Sequence, residues 1–239
     1  MNSLSGYKFA IHSILNFFKE QMDLSKSIDI YCERLDNGLW DEPINAATNA
    51  AFILAAIIMW LRCKNLAEGR ILAFLLFLIG CGSFLFHTFA QTWAAILDVT
   101  SILIFILTYI YFANRRFLNW SKRLSITGVI LFFPYQFFVV SILSSIQFFG
   151  ASVQYIPVAI LIFFYSGLLH KSKSNLSREL FIGAAILSLS IFARTIDAPL
   201  CAIVAVGTHF IWHILNAIML AWMIEVLRRH MLAGYSVGR

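Results

Sequence analysis

Long stretches of this chain contain no charged side chain. Asp, Glu, Lys and Arg are absent from residues 44–61, 71–97, 124–170 and 198–224. A helix that crosses the hydrocarbon core of a bilayer needs about 20 predominantly apolar residues. Uncharged runs of this length are therefore typical of membrane spans.

The composition agrees with this interpretation. The chain is 60% hydrophobic and 13% charged, with a mean hydropathy of +0.81, whereas soluble domains are about 25% charged. In a membrane protein a formal net charge of +6 is typical of basic residues that set the orientation of the spans, rather than of nucleic-acid binding. A soluble domain is excluded, and nucleic acid is not an expected partner.

Residues 71–114, in which Asp98 is the only charged residue, and residues 124–170 are each long enough for two helices. We therefore predict an all-α integral membrane protein, a bundle of seven transmembrane helices forming one domain over residues 44–227. The expected spans are 44–62, 70–89, 92–113, 123–144, 150–170, 178–196 and 203–227. Residues 228–239 are predicted to form a cytoplasmic tail.

The first 43 residues carry a separate pattern. An interfacial helix is predicted from their apolar side chains, which are Phe9, Ile11, Ile14, Leu15, Phe17 and Phe18. Polar residues interrupt this run and no small-residue cleavage site follows, so a signal peptide is not predicted. An acidic segment then leads into the first span.

The basic residues predict the orientation of the bundle, because Lys and Arg near span ends are retained in the cytoplasm. The loops after spans one, three and five and the C-terminus contain Arg62, Lys64, Arg70, Arg115, Arg116, Lys122, Arg123, Lys171, Lys173, Arg178, Arg228, Arg229 and Arg239. The opposite side has only Lys8, Lys19, Lys26 and Arg34, with Arg194 at its edge. We expect a cytoplasmic C-terminus and an external N-terminus, facing the periplasm or an organelle lumen.

This orientation brings three intramembrane histidines to the external end of the bundle. His209 and His213 are four residues apart on the seventh span, on one helix face, and His87 lies near the external end of the second span. Three neutral histidines with a fourth position open describe a catalytic zinc site, which activates a bound water. Zinc is therefore the predicted cofactor.

Two further polar residues accompany the histidines. Ser83 lies one helical turn before His87, and Asp98 comes from the third span across a short turn. Asp98 is the candidate general base and proton shuttle; Ser83 is the candidate hydrogen-bond donor to a developing oxyanion. The alternative is that all of these residues only hydrogen-bond between helices, for about 0.6 kcal/mol each.

The acidic segment before the first span is a second candidate metal site. Its carboxylates are Asp29, Glu33, Asp36, Asp41 and Glu42. Hard oxygen ligands in a short, turn-rich stretch suit calcium, and an ordinary solvated loop is the competing interpretation.

Structural roles are expected for two other pairs on the same side. Cys32 and Cys201 both face a compartment that permits disulfides, so they form either a disulfide or two isolated thiols. Arg194 and Asp197 are spaced i, i+3 at the end of the sixth span, which indicates a helix-end ion pair.

Taken together, these motifs resemble the alkaline ceramidase family, seven-span membrane zinc amidases in a superfamily shared with the adiponectin and progestin receptors. The segment GSFLFHTFAQTWAAILD is similar to the family's Ser, His and Asp signature, at Ser83, His87 and Asp98. The paired histidines lie in GTHFIWH, and YCERLDNGLWDEPIN resembles the calcium-binding segment of family members.

The resemblance implies hydrolysis of the amide that joins a fatty acid to a sphingoid base, with a lipid substrate taken from the bilayer. It also implies zinc at His87, His209 and His213, and calcium at the segment whose candidate ligands are Asp29, Glu33, Asp36 and Glu42. A non-catalytic receptor or scaffold stabilised by zinc, and a phospholipase-type ester hydrolase on the same site, remain the alternatives.

Overall fold

A computed structural model describes residues 23–36 and 38–237, with side chains described as far as Ala233. The interfacial helix predicted around Phe9 to Phe18 lies outside these residues.

The described part of the chain is helical and contains seven helices long and apolar enough to cross a membrane. This confirms the predicted fold class of a multi-pass helical membrane protein. The helices are α1 (Pro43–Thr48, continued by Ala50–Arg62), α2 (Ala67–Phe89), α3 (Thr92–Arg116), α4 (Lys122–Leu143), α5 (Ile156–Leu169), α6 (Ser174–Thr195) and α7 (His209–Val237). A 3-10 segment, Gln147–Tyr155, leads into α5, and a short helix, Asp197–Leu200, follows α6.

The seventh helix differs most from its expected bounds. It begins at His209 instead of residue 203, because the Asp197 carboxylate accepts hydrogen bonds from the backbone N–H groups of Thr208 (2.6 Å) and His209 (2.9 Å). These are donors at a helix start that has no intrahelical acceptors for them. At its other end α7 continues to Val237, so the residues predicted as a cytoplasmic tail begin as an extension of this helix.

The helices form a closed ring in chain order. Each packs against its neighbour in sequence, and α7 packs against both α6 and α1. It also contacts α2 and α3, so the helix that carries two of the candidate zinc ligands reaches the helices that carry the other candidate site residues.

The segment before α1 lies against the turn between α2 and α3. Ile28 donates its backbone N–H to the Ala90 carbonyl (2.7 Å), while Thr92 and Trp93 donate theirs to the carbonyls of Lys26 (3.1 Å) and Leu24 (3.0 Å). A disulfide joins Cys32 to Cys201, beyond α6. The acidic segment is thus held against the end of the bundle where the histidines lie.

Ion pairs gather at the opposite end of the bundle. Glu225 of α7 accepts hydrogen bonds from Arg62 (2.9 Å), Arg228 (2.7 Å) and Arg229 (2.9 Å). Arg116 of α3 pairs with Glu68 of α2. The bundle is therefore polarised, with a basic end and a histidine end.

Candidate active site

Three buried histidines meet between α2 and α7. His87, His209 and His213 are each at most 2% exposed, and one ligand atom from each lies within 4.8 Å of the other two. Their ring centroids are 4.6–5.1 Å apart. The structure therefore brings together the three residues that the sequence analysis selected as zinc ligands.

His87 is oriented by a carboxylate. Its Nδ1 donates to Glu42 Oε2 at 2.6 Å, which leaves Nε2 as the nitrogen with a free lone pair. Arg34 (2.7 Å) and Asn45 (3.1 Å) donate to the same carboxylate. Burial alone would raise the pKa of Glu42, but hydrogen bonds from His87, Arg34 and Asn45 outweigh it and hold this pKa below its ordinary value. Glu42 is thus an ionised carboxylate behind a candidate metal ligand, an arrangement that fixes ring and tautomer in metalloproteins.

His213 is oriented by a hydroxyl. Its Nδ1 lies 2.9 Å from Thr48 Oγ1. Because this hydroxyl donates to the carbonyls of Ile44 (2.8 Å) and Asn45 (3.0 Å), it is an acceptor toward His213. The Nδ1 therefore carries the proton, and Nε2 keeps its lone pair.

His209 is oriented by an aromatic ring. The ring of Tyr31 stacks on it with centroids 3.7 Å apart and planes inclined by 19°. Burial raises the pKa of Tyr31, so this phenol stays neutral. The position of Tyr31 is restrained because the next residue, Cys32, is joined by the disulfide to Cys201 in the last loop.

The donor set fits a zinc ion. Among the described residues, His209 Nδ1 and His213 Nε2 are buried without any hydrogen-bond partner, and an unpaired buried polar atom costs about 1–3 kcal/mol. A metal held between the rings would satisfy such atoms. Neutral imidazoles without thiolates and with a position left open are typical of catalytic zinc.

Ser83 and Asp98 line the cavity that contains His209 and His213. Gly82 makes this possible, since a Cβ at that position would lie 3.2 Å from the Asp98 Cα, so α2 and α3 approach closely there. Among the described residues Asp98 Oδ1 has no hydrogen-bond partner. A residue with a carboxylate oxygen free to accept a proton therefore lines the same cavity as His209 and His213.

The cavity continues from the histidines into the apolar centre of the bundle. Along α7 its wall runs from His209 to Met223, about 21 Å at the rise of an α-helix. Most of the remaining wall consists of aliphatic and aromatic side chains from α3, α5 and α6, including Ile102, Phe105, Val158, Leu161, Ile162 and Leu187. A polar end joined to a long apolar cavity suits a lipid with one acyl chain inside.

Comparison with known protein families gives a match to the Ceramidase model over residues 38–234. The chain belongs to the ceramidase family. The match includes the first six helices, most of α7 and the three histidines with Ser83 and Asp98, which confirms the family expected from the sequence motifs. Comparison with curated proteins finds no match.

In this ceramidase family member, the carboxylates predicted to bind calcium do not form a group of three or more with converging ligand atoms among the described residues. Asp29 and Asp36 are exposed, and Glu33 accepts the backbone N–H groups of Ile44 (2.6 Å) and Asn45 (2.8 Å), at the start of α1. Among the described side chains of metal-ligating type, only the three histidines form a group of three or more whose ligand atoms converge. Asp29, Glu33 and Asp36 also precede the residues that match the family.

A side chain occupies the centre of this segment. Arg34 is 4% exposed and donates to Glu42 as well as to the carbonyls of Asp36 (3.2 Å), Gly38 (3.1 Å) and His87 (3.3 Å). Its guanidinium thus gathers oxygens from the loop, from the start of α1 and from α2, as a bound cation would. The arrangement does not fit calcium at Glu42, because the arginine already neutralises that carboxylate.

The ion pair predicted between Arg194 and Asp197 does not form. Asp197 is committed to the start of α7 and to the backbone N–H of Cys32 (3.1 Å). The Arg194 guanidinium instead bonds the Ser152 hydroxyl (3.2 Å) and the Tyr31 hydroxyl (3.0 Å). Backbone donors at a helix start compete successfully for a carboxylate, which i, i+3 spacing alone does not reveal.

Sequence reasoning missed the residues that orient the histidines. Thr48 and Tyr31 are separated from their partners by most of the chain, and no local pattern indicates such contacts. Glu42 was selected as a calcium ligand although it contacts His87. An acidic residue directly before the first span was the available signal, because a buried carboxylate at a span end requires a partner.

Proposed function

We propose that the protein is a zinc-dependent intramembrane hydrolase that cleaves the amide bond of ceramide or a related N-acyl lipid. The products are a free fatty acid and an amine lipid. One observation supports this most: three buried histidines converge, the two on α7 have unpartnered nitrogens and share a cavity with Ser83 and Asp98, and that cavity continues as an apolar channel. Membership of the ceramidase family supports the same reaction.

The cavity positions the substrate. The acyl chain lies along the apolar wall of α3, α5 and α7, so that the amide carbonyl reaches the polar end between Ser83 and the histidines. When bound by His87, His209 and His213, zinc supplies a Lewis acid for the carbonyl and lowers the pKa of an attacking water from ~15.7 towards ~7.

Asp98 and Ser83 perform the remaining steps. Asp98 accepts a proton from the attacking water through its unpartnered oxygen and returns it to the amide nitrogen as the C–N bond breaks. The Ser83 hydroxyl donates a hydrogen bond to the carbonyl oxygen as negative charge develops on it. Glu42, Thr48 and Tyr31 hold the rings of the three histidines in place.

The active site is proposed to face the external or lumenal leaflet. Lys and Arg lie mainly at the opposite end of the bundle, and such residues are retained on the cytoplasmic side. A site near one headgroup boundary also suits a lipid whose scissile bond lies at that depth.

The experiment described below also distinguishes two other functions, a receptor or scaffold and an ester hydrolase. A receptor or scaffold would need only the three zinc ligands, whereas here Ser83 and Asp98 lie beside them and the cavity gives room for substrate. An ester hydrolase would use the same groups on a different bond.

The experiment measures fatty acids released from a panel of N-acyl lipids and matched esters by mass spectrometry, using purified protein with and without a zinc chelator. We expect release from amides that stops on chelation and returns with zinc. His213→Ala should abolish it, while His170→Ala, at an exposed histidine of the opposite end, serves as the matched control. Release from esters alone would indicate the ester hydrolase, and zinc retention without any release would indicate the receptor.

A further inference from the structure

Arg194 stands where two cavities of the histidine end meet. Its side chain and that of Tyr31 line the cavity of the histidines and Asp98. The same two side chains line a second depression, beside the 3-10 segment at Gly150 and the short helix after α6. The guanidinium therefore lies between the reaction site and an outer vestibule.

Aromatic rings and neutral hydroxyls surround this guanidinium. The Arg194 Cζ lies 5.6 Å from the Tyr31 ring centroid, 5.3 Å from that of Tyr155 and 5.8 Å from that of Trp212. Its hydrogen bonds go to the hydroxyls of Tyr31 and Ser152. Ser152 is 2% exposed, so the arginine is held by a built set of partners and its position is defined.

Among the described residues, no carboxylate lies within 4.0 Å of the Arg194 guanidinium, and Asp98, which lines the same cavity, acts on it only from a longer distance. Every ion pair within 4.0 Å in that part of the chain involves other side chains. Asp197, three residues further on, is committed to backbone N–H groups. Buried charges are ordinarily paired, and a guanidinium has more N–H donors than these two hydrogen bonds use.

We propose that Arg194 binds an anionic group on the amine part of the substrate, so that the preferred substrates are N-acyl amino acids rather than neutral N-acyl lipids. This inference rests on the proposed hydrolysis and names its substrate class. With the acyl chain in the apolar channel and the amide at the histidines, the amine part points towards the vestibule and passes Arg194. A planar guanidinium binds a carboxylate through two parallel hydrogen bonds, and the surrounding rings exclude the water that would weaken them.

A binding measurement tests the preference without requiring turnover. N-oleoylglycine and N-oleoylethanolamine share the acyl chain and the amide and differ in a carboxylate against a hydroxyl. Their dissociation constants are compared for zinc-loaded protein with Asp98→Asn, with mass spectrometry verifying that both ligands stay intact. We expect N-oleoylglycine to bind about tenfold tighter or more, as a charge-assisted pair provides. Equal affinities would overturn the proposal.

Variants identify the group responsible. Arg194→Gln should weaken the binding of N-oleoylglycine selectively and so remove the difference between the two ligands. Arg178→Gln removes an exposed positive charge from the other end of α6 and should keep the difference. If Arg194→Gln weakened both ligands equally, Arg194 would only hold Tyr31 and Ser152 in place, and the proposal would fail.

Turnover distinguishes this inference from the proposed function. Hydrolysis of both lipids at equal kcat/KM would contradict the role of Arg194 and leave the hydrolase in place. Tighter binding of N-oleoylglycine without hydrolysis of either lipid would contradict the hydrolase and leave the anion site in place.

Discussion

Each histidine of the candidate site is held by a different kind of partner: a carboxylate, a hydroxyl and an aromatic ring. All three partners, Glu42, Thr48 and Tyr31, come from the acidic segment and the first turns of α1. The ligands come from α2 and α7. The N-terminal region therefore orients ligands that it does not itself supply.

A substitution at Asp98 distinguishes its proposed role from that of the candidate metal ligands. Asp98→Asn keeps the shape of the side chain but cannot accept the proton, so we expect zinc content to stay at the parental value and kcat to fall by about 10²–10⁴. Zinc is measured by elemental mass spectrometry and kcat by fatty acid release. Full activity in this variant would refute the role of Asp98 as general base.

The contacts of Arg34 lead to a prediction about calcium binding. Because its guanidinium already neutralises Glu42 and binds the surrounding carbonyls, calcium added to chelator-washed protein should change neither the melting temperature nor the turnover. Magnesium at the same concentration controls for ionic strength. An increase specific to calcium would show that the acidic segment binds the ion despite the arginine.

Close helix contacts place the candidate catalytic groups. Gly82 lets the backbone of α3 approach α2 at Asp98, and Gly207, with a φ of +62°, lets Asp197 reach the start of α7. A Cβ at Gly207 would lie 2.1 Å from Asp197 Oδ1. Small residues thus set the distances between elements that carry the site.

Gly82→Val is expected to separate α2 from α3. The added side chain overlaps the backbone at Asp98, so the free energy of unfolding should fall by about 1–3 kcal/mol and turnover should fall with it. Gly167→Val is the matched control, since a Cβ at Gly167 meets no atom within 4 Å. Thermal unfolding and fatty acid release are measured for both variants, and equal effects would show that the contact at Gly82 is unimportant.

The polarised bundle predicts the topology in the membrane. With Cys63 and Cys81 replaced by serine, a cysteine at exposed Leu35 of the histidine end should react with a membrane-impermeant maleimide added outside intact cells or to the lumenal side of vesicles. A cysteine at exposed Lys171, near the basic end, should not react. The reverse pattern would overturn the orientation derived from the basic residues.

The sequence was sufficient to predict the seven-helix fold and the histidine set, since both follow from local patterns. Uncharged runs predict spans, and the spacing of His209 and His213 predicts a shared helix face. What it could not predict are contacts between distant segments. Arg34 lies among oxygens of three segments, Asp197 caps a helix across a loop, and Arg194 is turned towards Tyr31; each depends on how the loops fold over the bundle.

The most direct test of the account is zinc K-edge X-ray absorption of the purified protein. We predict one zinc bound by three imidazole nitrogens at about 2.0–2.1 Å, with a single oxygen in the remaining position, and loss of this signal in His87→Ala and His213→Ala. A first shell containing sulfur, a shell without an open or water-filled position, or a metal signal that survives these substitutions would contradict the account.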